Sequence, residues 1–264
     1  MNSTDYRETL FNDFNKNLAS FIDNNNGYSP IREFIAGGAY TNVFEIYPIN
    51  VPSYDFKDPV LVMSLDKDKS KLFKAVTGLN ILELTIDRMD RIYEDAKAEC
   101  LSECSSMYDN EEEILENENV YDYINDFEPS FFFKDLIESG ICIYITERVN
   151  SDLSELEVLH IEKALEVYSD TLRDQYGMFD NTGYAFSETD ISISKENIEF
   201  SNSDSVELDK GLIAKYTDII NRDILKMSNL LLDCKVTLDL HIDQFIKINK
   251  EIFLIDSFVI EYTS

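Results

Sequence analysis

A chain of 264 residues, 44% apolar and 12% aromatic, can build one large domain or two ordinary ones at roughly 150 residues each. Its 52 acidic residues against 23 basic ones leave a formal charge of −29, which argues against a general surface that grips nucleic acid or an anionic membrane. The same charge suits the converse partner, a basic protein.

No apolar run reaches the roughly 18–20 residues of a membrane span. The opening MNSTDYRETLFNDF has neither a basic n-region nor an apolar h-region, so neither a membrane segment nor a signal peptide is expected. Cys100, Cys104, Cys142 and Cys234, with only two histidines beside them, are too few for a disulfide framework or a structural zinc site. A reducing cytoplasm is the expected compartment.

In chain order, Leu10, Phe11, Phe14, Leu18, Phe21 and Ile22 recur at helical spacing over 4–24, and the polar NNNGYSP stretch ends that helix. Three strand-like segments follow, Ile31–Ala36, Asn42–Tyr47 and Pro59–Leu65, with the Gly37–Gly38 pair as a turn between the first two. Leu72, Val76, Leu79, Leu82, Ile86, Met89, Ile92 and Tyr93 give a helical stripe across 68–106, interrupted at most at Gly78. Between Lys97 and Lys134 there is no basic residue, and 106–127 reads as an exposed acidic loop or frayed helix. Ser130–Phe133 and Ile141–Val149 read as strands, 154–176 and 209–232 as helices, and 180–205 as a polar connection. Gln244–Ile248 and Ile252–Ile260 are the closing strands, split by a turn at Asn249–Lys250. This order predicts an α+β fold in two lobes, β-rich in front and mainly helical behind. The divisions are an N-terminal helix extension (1–30), a first lobe (31–150) carrying the acidic insertion, and a second lobe (151–264). Cys100 and Cys104 have i, i+4 spacing without further ligands of the right type, so they read as core residues, and His160 reads as a plain helix residue.

The segment from Thr237 to Phe258 places Asp239 before one strand of a tight hairpin and Asp256 after the other. Two carboxylates at one edge of a small sheet can hold Mg²⁺ and orient a hydroxyl for phosphoryl transfer. In a chain with 52 acids, solvated turn residues are the competing reading.

The same segment resembles the catalytic loop and metal-binding strand of the protein-kinase-like family, closest to the early serine/threonine protein kinases of short-tailed coliphages. Asp239-Leu240-His241 matches the family's Asp-x-His, and Leu254-Ile255-Asp256 matches its metal-binding strand. The resemblance implies a two-lobed kinase-like fold with a minimal helical C-lobe, and ATP and Mg²⁺ as cofactors. It implies Asp239 as catalytic base, His241 as the structural histidine of the catalytic loop, and Asp256 as metal ligand. The stretch around Gly37 and Gly38 stands where the phosphate loop would be, and the strand ending at Glu147 stands where a hinge would hold adenine. Aminoglycoside-type kinases share much of this pattern.

The chain departs from the family at three places. Met63 stands where the third strand should carry the phosphate-neutralising lysine, and Gln244 stands where the second metal ligand should be asparagine. Glu83 is the counterpart of the helix glutamate, without its lysine partner. The degenerate form predicts a pseudokinase of viral origin that binds and modulates a basic host protein, either a nucleic-acid-binding enzyme or a defence factor, in the host cytoplasm. An active phosphotransferase using Lys67 or Lys69 in place of the lost lysine is the alternative. A polyanion decoy that mimics nucleic acid through the 109–128 acids is the third.

Overall fold

The computed structural model describes residues 3–20, 30–38, 40–47, 56–108, 110–124, 129–149, 153–176, 208–231, 235–238 and 240–261. The chain divides into two units, Met1–Ser70 with Asn80–Arg148, and Lys71–Leu79 with Val149–Ser264. It is a mixed α+β protein. Among the described residues no helix is long and apolar enough to cross a membrane.

In the first unit, helix α1 (Ser3–Lys16) precedes strands β1 (Ile31–Gly37), β2 (Thr41–Ile46) and β3 (Pro59–Ser64). Helix α2 (Lys69–Thr77) gives only its first two residues to this unit, and β4 (Ile81–Leu84) returns to it. Next come α3 (Ile86–Cys104), α4 (Glu111–Asn117), a 3-10 turn (Val120–Tyr123), α5 (Pro129–Phe132), α6 (Lys134–Glu138) and β5 (Cys142–Glu147). The strands form one sheet in the order β1-β2-β3-β5-β4, antiparallel at every pairing. Central β3 is buried along its whole length, which is why Pro-Val-Leu-Val-Met-Ser shows no apolar–polar alternation.

Side chains of a strand alternate between faces. Phe44, Leu61, Met63, Ile143, Ile145, Leu82 and Leu84 occupy one face and join Phe11, Phe133 and Leu136 in a single apolar cluster. Phe14 of α1 sets its ring edge-on to Phe44 and Phe133, with centroids 6.2 and 6.1 Å apart. The opposite face carries Val62 and Ser64 of β3 against Tyr144 and Cys142 of β5.

Three sequence expectations change here. The stripe over 68–106 is two helices with a strand between them. Gly78, in the left-handed region at φ 70°, ends α2, and the Ile-Leu-Glu-Leu strand β4 follows. Thr85 then caps α3 by accepting the Arg88 N–H at 3.2 Å. Ser130–Phe133 is helical rather than extended, because Pro129 opens a turn in which a missing N–H costs nothing. The expected last strand Ile252–Ile260 divides between two small sheets.

The acidic stretch is ordered over 111–123. Asn110 accepts the Glu113 N–H at 2.9 Å, and Glu111, Glu112 and Glu113 sit in the first turn of α4, where the helix dipole favours negative charge. Ile114 alone of that helix is buried, against Cys100 and Cys104.

In the second unit, α7 (Glu155–Tyr176) packs on α8 (Lys210–Ser228). Strand β6 (Lys235–Leu238) pairs with β9 (Phe258–Glu261), and β7 (Phe245–Ile248) pairs with β8 (Glu251–Leu254). Asn249 and Lys250, at φ 49° and 73°, make the two-residue turn of the β7–β8 hairpin. The polar stretch 180–205 lies outside the described residues.

Glu157 joins α7 to that hairpin. One carboxylate oxygen accepts Lys247 Nζ at 2.6 Å, and the other accepts the Ser154 N–H and hydroxyl at 2.8 and 2.9 Å. The Lys247 bond, helped by Ser154, holds the Glu157 carboxyl down at about 2. Because the folded value lies below the unfolded one, the stabilisation is present in full above about pH 4.5 and is lost as pH falls toward 2. Partial solvent access limits it to on the order of 1–2 kcal/mol. Acid unfolding curves of wild type and Glu157→Gln should therefore converge as pH drops through that window. A gap that stays constant from neutral pH down to pH 2 would contradict the assignment.

Candidate functional site

In the first unit, a Cβ at Gly37 would lie 2.0 Å from Asn42 Oδ1, so a larger residue there would require the Asn42 side chain to shift. Asn42 is held there by its own bond to Asn15 Oδ1 at 2.8 Å. Gly38 meets nothing within 4 Å, and its N–H closes the turn on Thr41 O at 2.9 Å. The glycine pair therefore serves the turn itself.

Met63 is fully buried on the sheet face covered by α1 and α6. Ser70, in the first turn of α2, lies instead beside Cys142 on the opposite face. A side chain at position 63 thus points away from the face that α2 begins on. Glu83 lies on strand β4 opposite Tyr144, not on a helix, which corrects its assignment as a helix glutamate. Helix α2, Lys-Ser-Lys-Leu-Phe-Lys-Ala-Val-Thr, contains no acid at all. Burial pushes the Cys142 thiol up to about 11, with a smaller contribution from Glu83. Glu147 accepts the backbone N–H groups of Lys57 and Asp58, each at 2.9 Å, and the Arg148 N–H donates to Asp58 O at 2.7 Å. The expected hinge is thereby bonded to the chain entering β3.

In the second unit, Asp239 lies outside the described residues. His241 is exposed and caps the 3-10 turn Ile242–Gln244, its Nδ1 accepting the Asp243 N–H at 3.4 Å. Gln244 Oε1 accepts the His241 N–H at 2.8 Å, completing a reciprocal cap. Gln244 O accepts the Ile255 N–H at 2.9 Å, which brings Gln244 and half-buried Asp256 to one end of the β7–β8 hairpin.

Several of the described groups that the resemblance would offer to ATP and Mg²⁺ serve the fold itself, while Asp239 lies outside the described residues. The amides of Gly38 and Arg148 and the amide oxygen of Gln244 are bonded within the fold, and position 63 is core. Among the described residues no group of three His, Cys, Asp or Glu side chains gathers as a metal site would require.

Two residues outside the expected set organise the second unit. Asp223 is fully buried, yet it accepts Arg222 Nε and Nη2 at 2.7 and 2.9 Å and the Leu254 N–H at 3.0 Å. Arg222 also donates to Ile252 O at 3.1 Å and lies over the Phe253 ring at 5.1 Å, so this ion pair fastens α8 to β8, two residues before Asp256. The signal was a charged residue in the apolar stripe of Ile220, Ile224 and Met227. His160 is the other. It is buried, with Nδ1 2.6 Å from Leu156 O and Nε2 accepting the Asp209 N–H at 3.1 Å, so it ties the start of α8 to α7. Asp209 in turn caps α8.

In the first unit, Cys104 Sγ lies 3.1 Å from Tyr123 OH, and Tyr108 OH donates to Glu118 at 2.6 Å. The Glu118 bond raises the Tyr108 hydroxyl to about 12, and burial pushes the Cys100 thiol up. The thiols are core, and they seat the acidic helix. No protein-family model, no curated protein and no solved structure matches this chain.

Proposed function

We propose that the chain is a kinase-like scaffold, viral in origin and acting in the host cytoplasm, that works by docking a basic host protein on its acidic surface. The observation that carries this reading is α4. Glu111, Glu112, Glu113 and Glu116 are all exposed, and the helix is anchored by Ile114 alone. Its place between β4 and β5 supports the reading, because an insertion there presents charge without altering the sheet. The order of glycine turn, third strand, helix, hinge strand, two long helices and closing hairpin agrees with the kinase-like scaffold. The Gly38 amide and the Gln244 amide oxygen, two of the groups that would meet phosphate and metal, are engaged in the fold's own bonds, which favours binding over phosphoryl transfer. The partner class is a nucleic-acid-binding enzyme or a defence factor, since both present basic surfaces.

A second reading, an active serine/threonine phosphotransferase, is favoured by the burial of Lys69 in the first turn of α2. That lysine is the candidate to supply the charge missing at position 63.

Fluorescence anisotropy with a labelled hexa-lysine peptide tests the docking reading. Binding should be measurable at low salt, weaken steeply toward physiological salt, and lose much of that slope in the E111Q/E112Q/E113Q variant. No binding at low salt would sink it.

A further inference from the structure

The acidic insertion does not present charge alone. Tyr93 of α3, Tyr121 of the 3-10 turn and Phe131 of α5 form a continuous row of rings. Centroids are 5.5 Å apart between the tyrosines and 5.9 Å apart between Tyr121 and Phe131, with interplanar angles of 54° and 88°. Tyr121, in the middle, is 55% exposed. The turn that carries it is fixed locally. Asn119 accepts the Tyr121 N–H at 3.3 Å and donates to Asp122 at 3.1 Å, so the exposed ring is held in place rather than left on a free chain.

The surroundings are mostly acidic. Eleven acids and no base lie between Lys97 and Lys134, and exposed Asp90, Glu94 and Asp122 stand close to the two tyrosines in sequence, with Arg91 and Lys97 the bases nearest Tyr93 on α3. Lys134, just beyond, is paired with Glu138 at 3.7 Å. The faces of aromatic rings carry negative charge density and attract cations, arginine more strongly than lysine because the guanidinium plane also stacks. Carboxylates beside such rings add attraction of the same sign.

We propose that the Tyr93–Tyr121–Phe131 row is the docking face for an arginine-rich segment of the partner, guanidinium groups stacking on the rings while the flanking acids neutralise them. The proposal rests on the docking reading above and narrows it, from a basic protein to one that offers arginine on an accessible strand or loop. Charge alone draws lysine and arginine alike. The ring row separates them.

The test compares labelled hexa-arginine and hexa-lysine peptides against wild type, Tyr121→Ala, Tyr121→Leu and the E111Q/E112Q/E113Q triple variant. Melting curves confirm that each protein folds. Wild type should bind hexa-arginine more tightly than hexa-lysine. Tyr121→Ala should weaken the arginine peptide by about three- to tenfold, with its salt slope unchanged. Tyr121→Leu keeps apolar bulk against Phe131 but should lose the same preference, which separates stacking from simple packing. Equal affinity for the two peptides, or a Tyr121→Leu variant that keeps the arginine preference, would overturn the ring row. If the triple variant still loses binding in that case, the docking reading stands without it. No binding of either peptide to wild type at low salt overturns both.

Discussion

Met63→Lys should cost about 3–5 kcal/mol and should not create nucleotide affinity. The substitution restores, in sequence, the lysine that a kinase-like third strand ordinarily carries. In the folded protein, position 63 is fully buried among Phe44, Leu61, Ile143 and Phe133 of the apolar cluster. An ammonium there loses its hydration without gaining a partner, and such a group either ionises at high cost or stays neutral. Met63→Leu, nearly equal in volume, should cost less than about 1.5 kcal/mol and serves as the control for packing. The readout is urea unfolding, followed by melting with and without ATP and Mg²⁺. A Met63→Lys protein as stable as wild type, and newly stabilised by ATP, would mean that this side chain faces a nucleotide cleft and that the sheet faces have been assigned the wrong way round.

Asp223→Ala carries the second large effect, an expected loss of about 2–4 kcal/mol. The carboxylate is fully buried, and removing it leaves the Leu254 N–H without its acceptor and Arg222 without its bidentate partner. Arg222 is 39% exposed, so water recovers part of its share, and the estimate stays below that for a fully enclosed pair. Asp223→Asn keeps the shape and one acceptor, so it should lose less. In a double-mutant cycle with Arg222→Met, the two losses should fall short of additive by about 1 kcal/mol or more. Independent, additive losses would show that α8 and β8 are held by packing alone.

The sheet was largely legible from the sequence, because β2, β3 and β5 carry dense β-branched and aromatic runs between breakers, and these stay extended wherever they are placed. The hairpin was legible for the same reason, with Asn249–Lys250 as the punctuation. Residues 68–106 misled because Leu79, Leu82 and Ile86 continue a helical period by coincidence. The stop at Gly78 and the restart at the Thr85 cap are local backbone signals that outweigh that period. Ser130–Phe133 misled because three phenylalanines favour a strand by propensity, whereas Pro129 opens a helical turn. The candidate site was legible only as residue types. That Gln244 caps His241, that Arg148 bonds Asp58 and that Met63 faces the α1 side are consequences of register and turn geometry, which one-dimensional spacing does not contain. Asp223 carried a readable sign, a charge inside an apolar stripe. Its partner Leu254 N–H, 31 residues away, was not readable.

The measurement that bears most directly on a binding rather than a phosphoryl-transferring role is a thermal-shift titration with ATP and Mg²⁺, run beside Asp256→Ala. A site filled at about one hundred times its dissociation constant stabilises the native state by about 2.7 kcal/mol, which for a unit of this size raises the melting temperature by several degrees. The binding role predicts that millimolar nucleotide leaves wild type and Asp256→Ala unmoved. A shift of several degrees in wild type, abolished in Asp256→Ala, would contradict it and establish a working nucleotide site.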